Sequence, residues 1–146
     1  MKKTLWTLVF AATFQCILSH ALPNKITVSR ENKDLLPLTF EVVHREDGGT
    51  IHITIIIRSK ELGIPPESYS ILELSTSEGK TLLSIPINRW IPPQKSPLHE
   101  ECKSGRTVCY QFSMDSDLLT RAAFLFGDMS GPFVDTYYVP IGKPFK

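Results

Sequence analysis

The 146-residue chain has only three cysteines, no Asn-x-Ser/Thr acceptor for N-glycosylation and no excess of either charge, with 16 basic against 15 acidic residues. The near balance of charge argues against nucleic acid, which needs a basic footprint. It argues equally against binding to an anionic lipid surface. A hydrophobic run long enough to span a bilayer is also missing. The longest uncharged apolar run, Leu5 to Leu18, is short of the roughly 20 residues a spanning helix needs. Ile51 to Ile57 is interrupted by His52 and Thr54. Helical periodicity is scarce, and internal repeats, a Gly-x-Ser-x-Gly elbow and cofactor motifs are all lacking.

What is present begins at the N-terminus. Met1-Lys2-Lys3, the run from Leu5 to Leu18 and the small residues Ser19 and Ala21 around His20 form the pattern of a secretory signal peptide. Residues 1–21 are therefore expected to be removed, leaving Leu22 at the new N-terminus and a single domain over residues 22–146, secreted or periplasmic. Lipid attachment through Cys16 fits poorly, because Phe14-Gln15 replaces the small residues such processing prefers. Loss of Lys2 and Lys3 leaves 14 basic and 15 acidic residues. A domain of this length can bury a sizeable core without metal.

Removal of Cys16 leaves Cys102 and Cys109, an even pair in an oxidising compartment, which are expected to form a disulfide. The short loop it closes gives a chain-entropy stabilisation of about 2.5 kcal/mol. The spacing is too wide for a Cys-x-x-Cys redox pair. A zinc site wants further ligands at close spacing, and only His99 is near.

Period-2 alternation recurs along the chain. It predicts strands at 26–30, 38–45, 50–58, 69–75, 81–88, 107–114, 122–128 and 134–141, separated by Gly-, Pro- and Ser-rich turns. The expected fold is all-β, an antiparallel sandwich of about seven to eight strands. In the first hairpin Leu38, Phe40 and Val42 must share a core face with Ile51, Ile53, Ile55 and Ile57. A type I′ turn at Asp47-Gly48 does this, setting Val42 against Ile53 and Phe40 against Ile55. In the second, a turn at Glu78-Gly79 sets Leu74 against Leu83 and Leu72 against Ile85. Val108, Tyr110, Phe112 and Met114 share the inner face of a later strand, which leaves Cys109 outward. Asp115 to Arg121 then reads as one helical turn, with Asp115 capping it and Leu118 dropping into the core. A short helical turn between two late strands resembles the corner connection of immunoglobulin-like sandwiches. The resemblance covers the C-terminal part of the chain and implies an architecture. The cysteine pair departs from the antibody members, whose bridge crosses between sheets.

No catalytic residue, cofactor or metal ligand is assigned. His44 and His52 flank the first turn, but the register places them on opposite faces of the hairpin. Gly127-Asp128-Met129-Ser130-Gly131 resembles the Gly-Asp-Ser-Gly run of serine proteases, interrupted by Met129, and reads as a turn. Glu100-Glu101 and Asp115 with Asp117 read as a solvated loop and a helix cap, lacking the spacing of a glycosidase pair or a calcium loop.

The stretch from Asn88 to Glu101 is long for a connection. Its prolines stiffen it, and Arg89 and Trp90 are residue types enriched at binding hot spots. Arg89, Trp90, Ile91 and His99 are the candidate contacts for a protein or glycan partner. Packing of Trp90 over the end of the sandwich is the competing reading. The expected function is an exported, non-enzymatic binding module. Alternatives are a small metal-binding protein using His44, His52 or His99, and a hydrolase.

Overall fold

The computed structural model of the chain describes residues 24–132 and 134–142. The expected signal peptide, with Cys16, lies outside the described residues. Among the described residues nine strands follow in order: β1 (Asn24–Thr27), β2 (Leu38–Asp47), β3 (Thr50–Ser59), β4 (Tyr69–Ser75), β5 (Thr81–Pro86), β6 (Arg89–Trp90), β7 (Thr107–Asp115), β8 (Ala122–Asp128) and β9 (Asp135–Pro140). Helix α1 (Pro97–Lys103) precedes β7, and a 3₁₀ segment (Ser116–Arg121) joins β7 to β8. No described helix is long and apolar enough to cross a membrane.

The strands form two sheets, β1-β9-β8-β4-β5 and β2-β3-β7-β6. The order β2-β3-β7-β6 is the A-B-E-D arrangement of an immunoglobulin-like sandwich, and β4-β8-β9 is its C-F-G sheet with β5 added beside C. Every pairing is antiparallel except β1 with β9. The fold is thus an immunoglobulin-like β-sandwich. It has one more strand than the period-2 pattern marks, because residues 81–88 divide into β5 and the start of a crossing to β6.

Alternation explains the core. Ile53, Ile55 and Ile57 are fully buried on one face of β3, opposite Phe124, Phe126, Tyr137 and Val139 of the other sheet. Aromatic contacts cross between the sheets: Tyr110 lies 5.1 Å from Phe124 and Phe40 lies 5.2 Å from Tyr137, centroid to centroid. The antibody family places its disulfide across this space; here it is filled by rings.

The first hairpin keeps the expected parity but turns one residue later. Val42 pairs with Ile55 and Phe40 with Ile57. The turn residues are Gly48 and Gly49, with φ of 57° and 87°. Type I′ geometry needs positive φ at both central positions, and two glycines supply it without the Cβ clash that Asp47 would meet. The second hairpin has the expected register, Leu72 with Ile85 and Leu74 with Leu83, ending in an irregularity at Leu74/Ser75. Leu118 packs against the core as expected. Asp115 occupies the cap position, yet its side chain makes no capping hydrogen bond.

Candidate functional site

The stretch 88–101 is folded onto the sandwich and does not project as a loop. β6 extends the four-stranded sheet by two residues, pairing Arg89 with Tyr110 and Trp90 with Cys109. The ladder stops there because Pro92 and Pro93 have no N–H to continue it. Ser96 N–H donates to Pro93 O at 2.8 Å, and Ser96 Oγ accepts from Leu98 N at 3.3 Å as the N-cap of α1. Pro97 then occupies the first turn of the helix, where its missing N–H costs nothing.

Helix α1 packs on the outer face of β7. Cys109 points to that outer face, as strand parity requires, but it is 1% exposed, and its cross-strand neighbour Ile56 is 4% exposed. The period-2 pattern gives the face of a strand and is silent on whether another element covers it. Cys102 of α1 brings its Sγ to 3.1 Å from Cys109 Sγ. Burial, and then the neighbouring Cys102, push the Cys109 thiol up to about 12. Arg58 fastens the same helix: its Nε donates to Glu101 at 2.7 Å and its Nη1 to Glu41 at 2.8 Å.

The four candidate contacts take different positions. Arg89 is exposed, and its Nη2 donates to Pro65 O at 2.5 Å. Trp90 is half-buried on the same side as Cys109, which combines the packing role with partial exposure. Ile91 is 76% exposed between Trp90 and the fully buried Pro92. His99 Nδ1 donates to Pro92 O at 2.7 Å and is half-buried. Arg89, Trp90 and Ile91 therefore share one edge, and His99 braces the backbone behind it.

That edge continues into β5, where sequence reasoning placed core residues. Leu83 and Ile85 have the expected register but are 49% and 39% exposed, and Leu82 is 63% exposed. β5 is the last strand of its sheet. On that side the facing sheet ends in β6, two residues long, so the inner face of β5 has little to pack against. Four of the nine large hydrophobic side chains exposed among the described residues thus fall within 82–91. The signal that marks this edge in the sequence is Pro86, since proline inside a strand is confined to edges.

Other polar groupings have simpler accounts. His44 pairs with Ile53 and His52 with Arg45, on opposite faces of the hairpin, and His52 Nδ1 lies 2.7 Å from Ser113 Oγ. No group of three His, Cys, Asp or Glu side chains converges among the described residues. Ser130 donates to Asp128 through both N–H (3.0 Å) and Oγ (2.9 Å), the local bonding of a turn. A groove of about 510 Å³ on the outer face of the five-stranded sheet includes Lys25, Glu73, Arg121 and Tyr138. There the Tyr138 ring is already occupied by Lys25 Nζ, 4.8 Å from its centroid.

No family model, curated protein or solved structure matches this chain.

Proposed function

We propose that the chain is an exported, non-enzymatic binding module that takes a protein partner along the edge running from Leu82 to Ile91. The observation that carries this reading is that Leu82, Leu83, Ile85 and Ile91, all exposed, fall within residues 82–91, where the two sheets end in β5 and β6. Contiguous exposed apolar surface rimmed by polar residues is typical of interaction sites. Aliphatic side chains with a half-buried tryptophan suit an apolar protein surface better than a glycan. Arg89 and Trp90 supply the planar, low-entropy groups on which interface energy concentrates. His99 serves by holding Pro92, and through it the direction of Ile91.

Export is supported by the signal-like segment 1–21. A Cys102–Cys109 disulfide is part of the same proposal: it pins α1 beside Trp90 and so fixes the shape of the edge. His44 and His52 lie on opposite faces of the first hairpin and His99 lies on α1, which leaves the metal-binding alternative without a shared ligand set among the described residues.

The test is capture of partners from the host's envelope and culture fractions with the oxidised protein, beside folded Ile91→Asp and Trp90→Ala variants. A protein retained by the parent and lost with both variants supports the reading. Equal capture by all three moves the site off this edge and sinks the assignment.

A further inference from the structure

Among the described residues the backbone of β5 is bonded on one side only, to β4. Ile87 N–H donates to Ser70 O at 3.0 Å, continuing the register in which Leu72 faces Ile85 and Leu74 faces Leu83. Bonded and non-bonded pairs alternate along an antiparallel ladder, so Ile85 and Leu83 direct their N–H and C=O groups to β4. Ser84 and Pro86 direct theirs away from the sheet, while the register passes over Leu82. Proline has no N–H, so the free groups are the N–H and carbonyl of Ser84 and the carbonyl of Pro86.

Sheet edges are ordinarily protected by charge, proline, a bulge or a cover. From Thr81 to Asn88 there is no charged residue, and all six residues of β5 are exposed. The irregularity at Leu74/Ser75 lies at one end of β5 and Pro86 at the other. Neither removes the two groups of Ser84.

We infer that β5 pairs antiparallel with β5 of a second copy of this chain, about a two-fold axis at Ser84. The inference rests on the reading of the 82–91 edge as a binding surface and names its occupant. The free groups choose the register. Ser84 and its symmetry mate form a bonded pair with two hydrogen bonds. Centring on Leu82 instead would set Ser84 against the partner's Lys80. Centring on Pro86 would forfeit both central donors. In the Ser84 register the side chains match themselves, Leu83 facing the partner's Ile85 on the inner side. A two-fold contact requires this self-complementarity.

The crossing from β5 to β6 takes only Ile87 and Asn88, so the edges of both sheets lie along one seam that also includes Ile91. One short strand pair with Ile91 beside it gives an interface near or below about 1,200 Å², the low end of specific contacts. The dimer is accordingly reversible and dependent on concentration.

Sedimentation velocity over a concentration series reaching the high micromolar range tests this, with Ser84→Lys and Ser84→Glu variants whose fold is checked by circular dichroism. Ser84 is exposed, so neither substitution burdens the core. The parent is expected to show a monomer–dimer equilibrium. Each variant alone is expected to dimerise at least about tenfold more weakly, because like charges directly opposite one another repel. An equimolar mixture of the two variants restores the dimer, with lysine facing glutamate at the axis. A parent that stays monomeric overturns the inference, as do dimers of either variant alone at parent strength, or a mixture that fails to recover. A monomeric parent that still captures a foreign protein, lost with Ile91→Asp, removes the second copy as occupant while leaving the binding edge in place.

Discussion

Arg58 Nε donates to Glu101 at 2.7 Å, and this bond ties β3 to helix α1 across the outer face of the four-stranded sheet. The bond to Glu101, followed by that to Glu41, holds the Arg58 guanidinium above its ordinary range. Both carboxylates are partly solvated, Glu101 at 42% and Glu41 at 52% side-chain exposure, so each pair has the modest value of a surface ion pair. Glu101→Ala is expected to cost about 0.5–1 kcal/mol in urea unfolding, and Glu41→Ala less. Both losses shrink in high salt. Equal costs at low and high salt would show that packing of α1, not charge, holds it down.

The cysteines give a second prediction. The oxidised protein is expected to exceed the reduced one in stability by about 2.5 kcal/mol. In the reduced, folded protein the buried Cys109 thiol, raised to about 12, is largely unionised at pH 8. Alkylation under native conditions should therefore mark Cys102 first, since the thiolate is the reactive form. Mass spectrometry of peptides after brief labelling reads the order directly.

Tyr137 is 1% exposed, and burial, with smaller contributions from Asp135 and Asp128, pushes its hydroxyl up to about 12. Because the folded protein holds this proton more tightly than the unfolded chain, the linked stability is intact below the ordinary tyrosine range and is lost as pH rises towards 12. The loss over this window is about 2 kcal/mol. In the oxidised protein, where Cys109 does not titrate, Tyr137→Phe should abolish that part of the decline. Parallel alkaline profiles of parent and variant would reject it.

Core and edge should respond very unequally to truncation. Phe124 is fully buried, with Tyr110 at 5.1 Å and Phe112 stacked at 6.3 Å. Phe124→Ala is expected to cost about 3–5 kcal/mol. Ile91→Ser, at a site 76% exposed, should stay within about 0.5 kcal/mol of the parent. A large cost at Ile91 in chemical denaturation would mean that the edge is structural and would weigh against its binding role.

Much of the sandwich was legible from alternation alone, since the inner faces of β3, β7 and β8 repeat every second residue. Parity held in both hairpins and the second register stood, but the first shifted from Val42–Ile53 to Val42–Ile55 because the turn falls at Gly48-Gly49 and not at Asp47-Gly48. Two sites resisted this logic. Cys109 has an outward position yet is buried, because α1 returns over it from the far side of a proline-rich segment. Leu83 and Ile85 have inward positions yet are exposed, because the facing sheet stops at the two-residue β6.

The sequence by itself determined which residues could share a face. That is a local property of a chain whose side chains alternate, enforced by the cost of turning isoleucine and phenylalanine to water. Tertiary structure decided which faces had something to meet. Arg89, Trp90 and Ile91 became part of an edge, and Leu82, Leu83 and Ile85 joined them there, through the order of strands within each sheet. That order is set by pairings between residues far apart in the chain, and alternation does not record it.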